Sequence, residues 1–284
     1  MVRGTAAVLA LLTAGLAITA CAPSDPQRGE LPAGVTVELI QLRSDVVDRA
    51  AELRVQNGSE EDLVVTRVSL TDPRFADPIV RHKRSSVSAG RTLDMRVDLP
   101  PVACDADGAV GPTTLELEYE VDGRPAMAEA SVPDSLAFIP LLHAKECLRE
   151  RLGEVAALSW SAFEPSDAGA PAHLTLEIDP AGGVGSARIE TVETTPLLMF
   201  DAAGAAPFAV GLEVEGSGSP EQVRVPLVPL RCDPHAVMED KRGTIFDVTV
   251  TLGDTTGVVE VAVPAEIKGE ILDWVADWCG FGAG

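Results

Sequence analysis

Basic and aromatic side chains are scarce in this chain. Of 284 residues, Lys and Arg together number 22 against 44 Asp and Glu, a formal net charge of −22. A field of that sign repels phosphate backbones, so nucleic acid is excluded as a partner class. Seven Phe, three Trp and one Tyr are too few for the stacking platforms that hold bases and are often used for sugars. No CxxC pair occurs, which leaves zinc without its usual half-sites. There is no GxSxG elbow, and Gly182-Gly183-Val184-Gly185-Ser186 lacks the Lys-Ser/Thr that completes a phosphate loop, so it reads as a turn linker. After residue 20 no apolar run approaches the ~18 residues that a membrane span needs. What remains is a chain that is 46% hydrophobic, with enough apolar material for real cores. At about 150 residues per domain its length predicts roughly two of them.

The N-terminus carries one positive charge at Arg3 and then an uncharged apolar stretch from Ala6 to Ala20, the layout of a secretory signal. It ends in Ile18-Thr19-Ala20-Cys21, which resembles the lipobox of bacterial lipoproteins: an aliphatic residue, two small residues and the cysteine that receives the lipid. That resemblance implies cleavage after Ala20, a diacylglyceryl thioether on Cys21 and, in many bacteria, an acylated amine such as a palmitate amide. Two or more acyl chains, at about 0.8 kcal/mol per buried methylene, hold a protein on a bilayer without any spanning helix. The following Ala22 to Gly34, rich in Pro, Gly and polar residues, has the composition of a flexible tether.

Four further cysteines, Cys104, Cys147, Cys232 and Cys279, form an even set in a chain addressed to a compartment that permits disulfides. Four cysteines allow three pairings, and an internal repeat selects among them. Leu99-Pro-Pro-Val-Ala-Cys104-Asp105 aligns with Leu227-Val-Pro-Leu-Arg-Cys232-Asp233, matching Leu, Pro, Cys and Asp in frame. Downstream, Val132-Pro133 leads to Cys147 as Val263-Pro264 leads to Cys279. A duplicated module with two cysteines per copy predicts Cys104 bonded to Cys147 and Cys232 bonded to Cys279, each closure stabilising its module by roughly 4 kcal/mol in the loop-entropy model.

Short alternating runs punctuated by turn residues fill both copies. In the first they cover 35–42, 51–56, 63–70, 91–99, 114–121 and 126–132, separated by Asn57-Gly58, Asp72-Pro73, Pro100-Pro101 and Asp122-Gly123. In the second they cover 155–163, 173–178, 187–194, 208–214, 223–230, 244–252 and 258–263. The predicted fold is mainly β: two tandem immunoglobulin-like antiparallel β-sandwich domains with a short C-terminal helix, after a signal peptide and a flexible tether. The boundaries are 1–20 for the signal peptide, 21–34 for the lipidated N-terminus and tether, 35–148 for the first sandwich and 149–284 for the second. Pro264 opens the C-terminal helix, with Ile267, Ile271, Leu272, Val275 and Trp278 at helical spacing. Pro140 predicts that the equivalent segment of the first copy is shorter or irregular.

Two clusters stand out as candidate binding residues. Arg81-His82-Lys83-Arg84 is a compact basic run in an acidic chain, suited to an acidic partner, wall-polymer phosphates or lipid headgroups near the anchor, with an exposed loop offsetting nearby acids as the plainer meaning. Asp233, His235, Glu239 and Asp240 concentrate oxygen and imidazole donors beside Cys232. They match no recognised metal-loop spacing, and a capped turn or short helix is the plainer meaning there. The Cys232-to-Lys241 segment is also similar to uncharacterised lipoproteins of high-GC Gram-positive bacteria, which implies no activity. Glu116, Glu118 and Glu120 alternate along one predicted strand and so share a face.

These features predict a lipid-anchored protein on the extracytoplasmic side of the cell membrane. It is expected to be noncatalytic, with no cofactor or metal, and to bind or scaffold another envelope protein or a wall polymer. The alternatives are an envelope hydrolase or metal-dependent enzyme using Asp233, His235 and Glu239, and a solute-binding lipoprotein. The last fits poorly, because two-lobed receptors alternate strands with helices.

Overall fold

A computed structural model of the chain describes residues 28–105, 110–200, 207–238 and 241–281. The first module contains β1 (Arg28–Gly29), β2 (Val35–Ile40), β3 (Ala50–Asn57), β4 (Leu63–Thr71), β5 (Ile79–Arg81), β6 (Ser85–Val87), β7 (Arg91–Asp98), β8 (Thr113–Val121) and β9 (Arg124–Val132), followed by α1 (Phe138–Val155). The second runs from β10 (Ala156–Glu164) through β11 (Ala172–Pro180), β12 (Ser186–Val192), β13 (Leu198–Met199), β14 (Phe208–Glu215) and β15 (Glu221–Pro229). It continues with α2 (Pro234–Met238), β16 (Ile245–Leu252), β17 (Thr255–Ala262) and α3 (Ala265–Trp278).

Each module is a sandwich of two sheets with the same strand order. One sheet is β2-β3-β7 in the first module and β10-β11-β15-β13 in the second. The other is β1-β9-β8-β4, with β5 and β6 both on β4, and its counterpart is β14-β12-β16-β17. In both copies the third strand crosses over to pair with the strand that opens the final hairpin, which is the immunoglobulin-like layout. The third strands even share a register shift, between Val65 and Arg67 in β4 and between Ile189 and Thr191 in β12. A duplicated sequence has thus produced a duplicated bulge.

The strands form where alternation places apolar side chains on one face. Along β8, Leu115, Leu117 and Tyr119 are buried while Glu116, Glu118 and Glu120 point away from the core. The turn from β8 to β9 is made by Asp122 and Gly123, both at positive φ (50° and 73°), the geometry that a two-residue hairpin of matching twist requires. Each module has its own core. In the first, Leu53, Leu70, Ile79, Met95, Leu115 and Ile139 interlock; in the second, Leu174, Ile178, Val250 and Ile271 surround Trp160 and Phe246, whose rings lie 4.8 Å apart.

The turn-linker reading of the Gly182–Gly185 stretch acquires a physical cause. A Cβ on Gly183 would stand 2.2 Å from the carbonyl oxygen of Glu154, so only glycine admits the end of α1 at that point. Gly58 holds the corresponding place in the first module, where a Cβ would stand 2.6 Å from the Gly34 carbonyl oxygen.

The helix expectation for the first module needs correction. α1 is not a shortened copy: it has 18 residues against 14 in α3. Pro140 is its third residue, inside the first turn, where a backbone N–H has no intrahelical acceptor to lose. Asp134 completes that end, its carboxylate accepting the N–H groups of Phe138 and Ile139 at 3.1 and 2.8 Å. Four short strands, β1, β5, β6 and β13, had no signal in the alternation because two or three residues do not establish a period; β1 falls within the expected 21–34 tether, where Arg28 and Gly29 pair in parallel with Met127 and Ala128 of β9.

Candidate functional site

The two disulfides join Cys104 to Cys147 and Cys232 to Cys279, with Cα atoms 5.3 and 5.2 Å apart. Each ties the loop between the two sandwich sheets' crossover strands, β7 to β8 or β15 to β16, to the helix that follows the module. The chemistry around the two differs. In the first module, Arg49 donates from Nε to the Leu99 carbonyl (3.1 Å) and from Nη2 to the Pro100 carbonyl (2.7 Å), and it pairs through Nη1 with Glu146. His143 Nε2 lies 3.1 Å from the Ala103 carbonyl. The middle turn of α1 is therefore gripped on three sides at Cys147. Deeper in that loop's support, burial pushes the Asp72 carboxyl up, but hydrogen bonds from Arg74 and Thr113 outweigh it and hold the carboxyl below its ordinary value.

Beyond the grip, α1 enters the second module. Phe138 and Ile139 belong to the first core, whereas Leu148, Leu152 and Val155 belong to the second. Leu148 rests over Gly257 of β17, where an added Cβ would stand 2.6 Å from Leu148 Cδ2. Lys145 Nζ reaches Glu260 Oε1 at 3.0 Å, and Arg242 Nη2 reaches the same oxygen at 2.7 Å. Burial raises Glu260, and the two cations more than compensate, leaving its carboxyl below the ordinary value. β10 starts at the residue after α1 ends, so no flexible linker separates the two sandwiches. Positions 148 and 149 lie within this helix.

The basic run is not gathered into one patch. Arg84 makes a paired contact with Glu120, at 2.7 and 2.6 Å, and Arg81 is turned back onto the Lys83 carbonyl and Ser85 Oγ. His82 and Lys83 are exposed between β5 and β6. Arg67 spans Glu116 and Glu118 at 3.0 and 3.2 Å, so the outward face of β8 is a row of ion pairs. Sequence reasoning placed the acids on one face but had no means of placing the arginines opposite them.

Around Cys232, Asp233 is a capping residue: its Oδ1 accepts the His235 N–H at 3.0 Å and its carbonyl accepts the Val237 N–H at 3.1 Å. His235 lies on the exposed first turn of α2. Cys21, Glu239 and Asp240 lie outside the described residues. Among the described residues, no group of three or more His, Cys, Asp or Glu is arranged to hold a metal ion, and no helix is long and apolar enough to cross a membrane.

Three clefts accompany the second module. One, of about 420 Å³, opens between β10 and β17 beside Trp160, whose Nε1 donates to the Val261 carbonyl at 3.1 Å. Another, of about 330 Å³, lies between α1 and the β16–β17 hairpin. The third, of about 460 Å³, is bordered by Asp167, Glu270, Asp273 and Asp277 with Trp274 and Trp278.

No protein-family model matches the chain, and no curated protein matches it. Among solved structures it is similar to red sea bream transglutaminase, at 12% identity over 82% of this chain and 32% of that one, with a TM-score of 0.23. The chain thus spans about a third of the length of that transglutaminase. It is similar also to the CsuC–CsuE chaperone–tip adhesion subunit complex of Acinetobacter baumannii, at 12% identity over 81% of this chain and 99% of that one, TM-score 0.21. A third likeness is to the calcium-binding domain CBD12 of CALX1.1, at 12% identity over 78% and 79% of the two chains, TM-score 0.19. Likenesses this distant carry no activity to this chain, and its immunoglobulin-like layout rests on the strand order itself.

Proposed function

We propose that the chain is a lipid-anchored cell-envelope protein whose tandem sandwiches form a stiff, noncatalytic binding or scaffolding arm on the extracytoplasmic side of the membrane. The observation that supports this most is α1, one helix gripped by the first module and seated in the core of the second. A protein whose task is to hold a surface at a set distance and angle benefits from such a joint, whereas a two-lobed receptor that closes on a solute needs a hinge there. The Ile18-Thr19-Ala20-Cys21 motif supplies the attachment, and the acidic surface keeps the arm off anionic headgroups. Its partner is another envelope protein or a wall polymer.

The test uses the full chain in a bacterial envelope. Wild-type protein is expected in the membrane fraction with a lipid mass increment on Cys21, and Cys21→Ala is expected to release it to the soluble fraction. Crosslinking in intact envelopes is then expected to capture a specific partner, lost on replacement of surface residues in one module. Membrane retention of Cys21→Ala would overturn the anchor, and a Cys21-anchored arm that captures nothing, with no envelope phenotype on deletion, would overturn the binding role.

A further inference from the structure

We infer that the end of the first sandwich opposite α1 is the end that stands against the lipid headgroup surface, and that β1 is the clamp that sets it there. The inference rests on the lipid-anchored reading above. In this sandwich β2 and β7 start, and β3 and β8 end, at one place. There the Gly58 N–H donates to the Gly34 carbonyl at 2.9 Å and the Gly90 N–H to the Asn57 carbonyl at 2.7 Å. Asn57 is fully buried and ties these turns together, its Nδ2 donating to the carbonyls of Glu61 and Val87 at 2.8 and 2.9 Å. The Asp122–Gly123 turn completes the same end. α1 departs from the other end, where His143, Glu146 and Cys147 are held.

β1 decides how far the anchor reaches. Because Arg28 and Gly29 pair in parallel with Met127 and Ala128, the chain from Cys21 arrives at β9 from its Arg124 end, beside the Asp122–Gly123 turn. Leu31 packs against the first core just beyond. Residues 22–27 are all that separate Cys21 from Arg28, and a chain of that length spans at most about 25 Å when fully extended. Without β1 the free segment would run to Val35 and span about 50 Å. Arg28 stands roughly 10 Å from the Arg124 end of β9 and roughly 17 Å from the Val132 end, so the turn end lies within easy reach of the bilayer. An inverted protein would have to fit those ~17 Å and the second sandwich, roughly 20 Å thick with its outer side chains, within the same tether, which is too short. Lying flat is opposed by the net charge of −22: repulsion from anionic headgroups acts within about 8 Å, well inside the tether's reach. The turn end itself is polar, exposing Glu60, Glu61, Asp62 and Asp122 beside Arg91 and Arg124. Among the described residues no large exposed apolar side chain lies on it, whereas Leu42, Val46 and Val47 lie on the opposite end. Such a surface stands off headgroups and does not enter the bilayer.

The test is energy transfer from a fluorophore on the lipidated full chain to rhodamine-labelled headgroups in phosphatidylethanolamine–phosphatidylglycerol vesicles. The donor is attached through an azide-bearing residue at position 59 or at position 47, which leaves the cysteines paired. Transfer is expected to be about twofold higher from position 59 than from position 47, because the strand between them separates the two ends by about 25 Å. A Gly-Ser insertion of about ten residues between Gln27 and Arg28 adds up to ~35 Å of reach and is expected to narrow that difference. Arg28→Cys with Met127→Cys is expected to form a bridge and leave the difference unchanged, because β1 is already paired. Equal transfer from the two positions, or more from position 47, would overturn the orientation. An insertion without effect, a bridge that fails to form in oxidised protein, or a bridge that alters the transfer would overturn β1 as the clamp. Wild-type protein that does not float with the vesicles would overturn the anchor, and this inference with it, so failure of the anchor and failure of the orientation are read separately.

Discussion

The two modules share their strand order, their bulged third strand and the position of their disulfide, yet they use the helix that follows the final hairpin in opposite ways. α3 folds back onto its own sandwich, burying Ile271, Trp274 and Val275, with Trp274 Nε1 donating to the Ser166 carbonyl at 3.1 Å. α1 stays on its own sandwich through Leu142 and the staple at Cys147 and gives its last two turns to the neighbour, through Leu148, Leu152 and Val155. The same local device, a helix stapled by a cysteine, therefore serves as a cap in one copy and a connector in the other. What differs is the residue pattern past the staple. Leu148, Leu152 and Val155 continue the apolar stripe of α1 beyond Cys147, whereas α3 ends at Trp278 and Cys279 is its C-cap.

The largest break in this comparison comes from removing the staples separately. Replacing Cys104 and Cys147 with Ser, or Cys232 and Cys279 with Ser, is expected to cost about 4 kcal/mol in either case, read by denaturant unfolding under oxidising conditions. Only the first pair is expected also to broaden the interdomain distance distribution, measured between spin labels placed in the two sandwiches. Equal broadening in both would mean that the staple on α1 has no special role in the joint.

A smaller effect follows from emptying the seat of the connector. Leu148 is 2% exposed, so Leu148→Ala is expected to cost about 3 kcal/mol and to leave the first module's own melting unchanged. A loss shared equally by both modules would mean that the helix couples their unfolding rather than merely joining them.

Acid is expected to weaken the same joint. Because Arg242 and Lys145 hold the Glu260 carboxyl below its ordinary value despite its burial, the contribution is present above about pH 4.5 and is lost as the pH falls through the folded value. Glu260→Gln is therefore expected to lower Tm at neutral pH and to converge with wild type in acid. A constant Tm difference across that range would show that the ion pairs are not its source. The smallest effect is expected at the basic run, where Arg84→Ala removes an exposed ion pair with Glu120 and is expected to leave Tm unchanged; a clear fall would give that face a structural role.

Much of the architecture was legible beforehand because it depends on local periodicity. The long strands, the acid row on β8, the C-terminal helix and the disulfide partners all follow from alternation, turn residues and an in-frame repeat. The Asp233 cap was legible for the same reason, since it needs only the next few residues. The candidate basic run is where local reading stopped. Its four residues are adjacent in sequence, but Arg84 is committed to Glu120, 36 positions away, and Arg81 to Ser85 and Lys83. Pro140 misled for a related reason. A proline's effect depends on its place within the helix, and that place is set by Asp134 and by where the sandwich ends.

By itself, then, the amino-acid order determined two β-sandwich copies, their staples and the expectation of an anchored, acidic, exported chain, because alternation, charge and cysteine spacing act over a few residues or over the whole composition. Only the tertiary structure decided that α1 belongs to both modules, that Gly257 admits Leu148, and that Lys145 and Arg242 meet on Glu260. Leu148 and Gly257, like Lys145 and Glu260, lie more than 100 positions apart in the chain. No local pattern encodes such contacts, because they depend on how α1 packs against both cores.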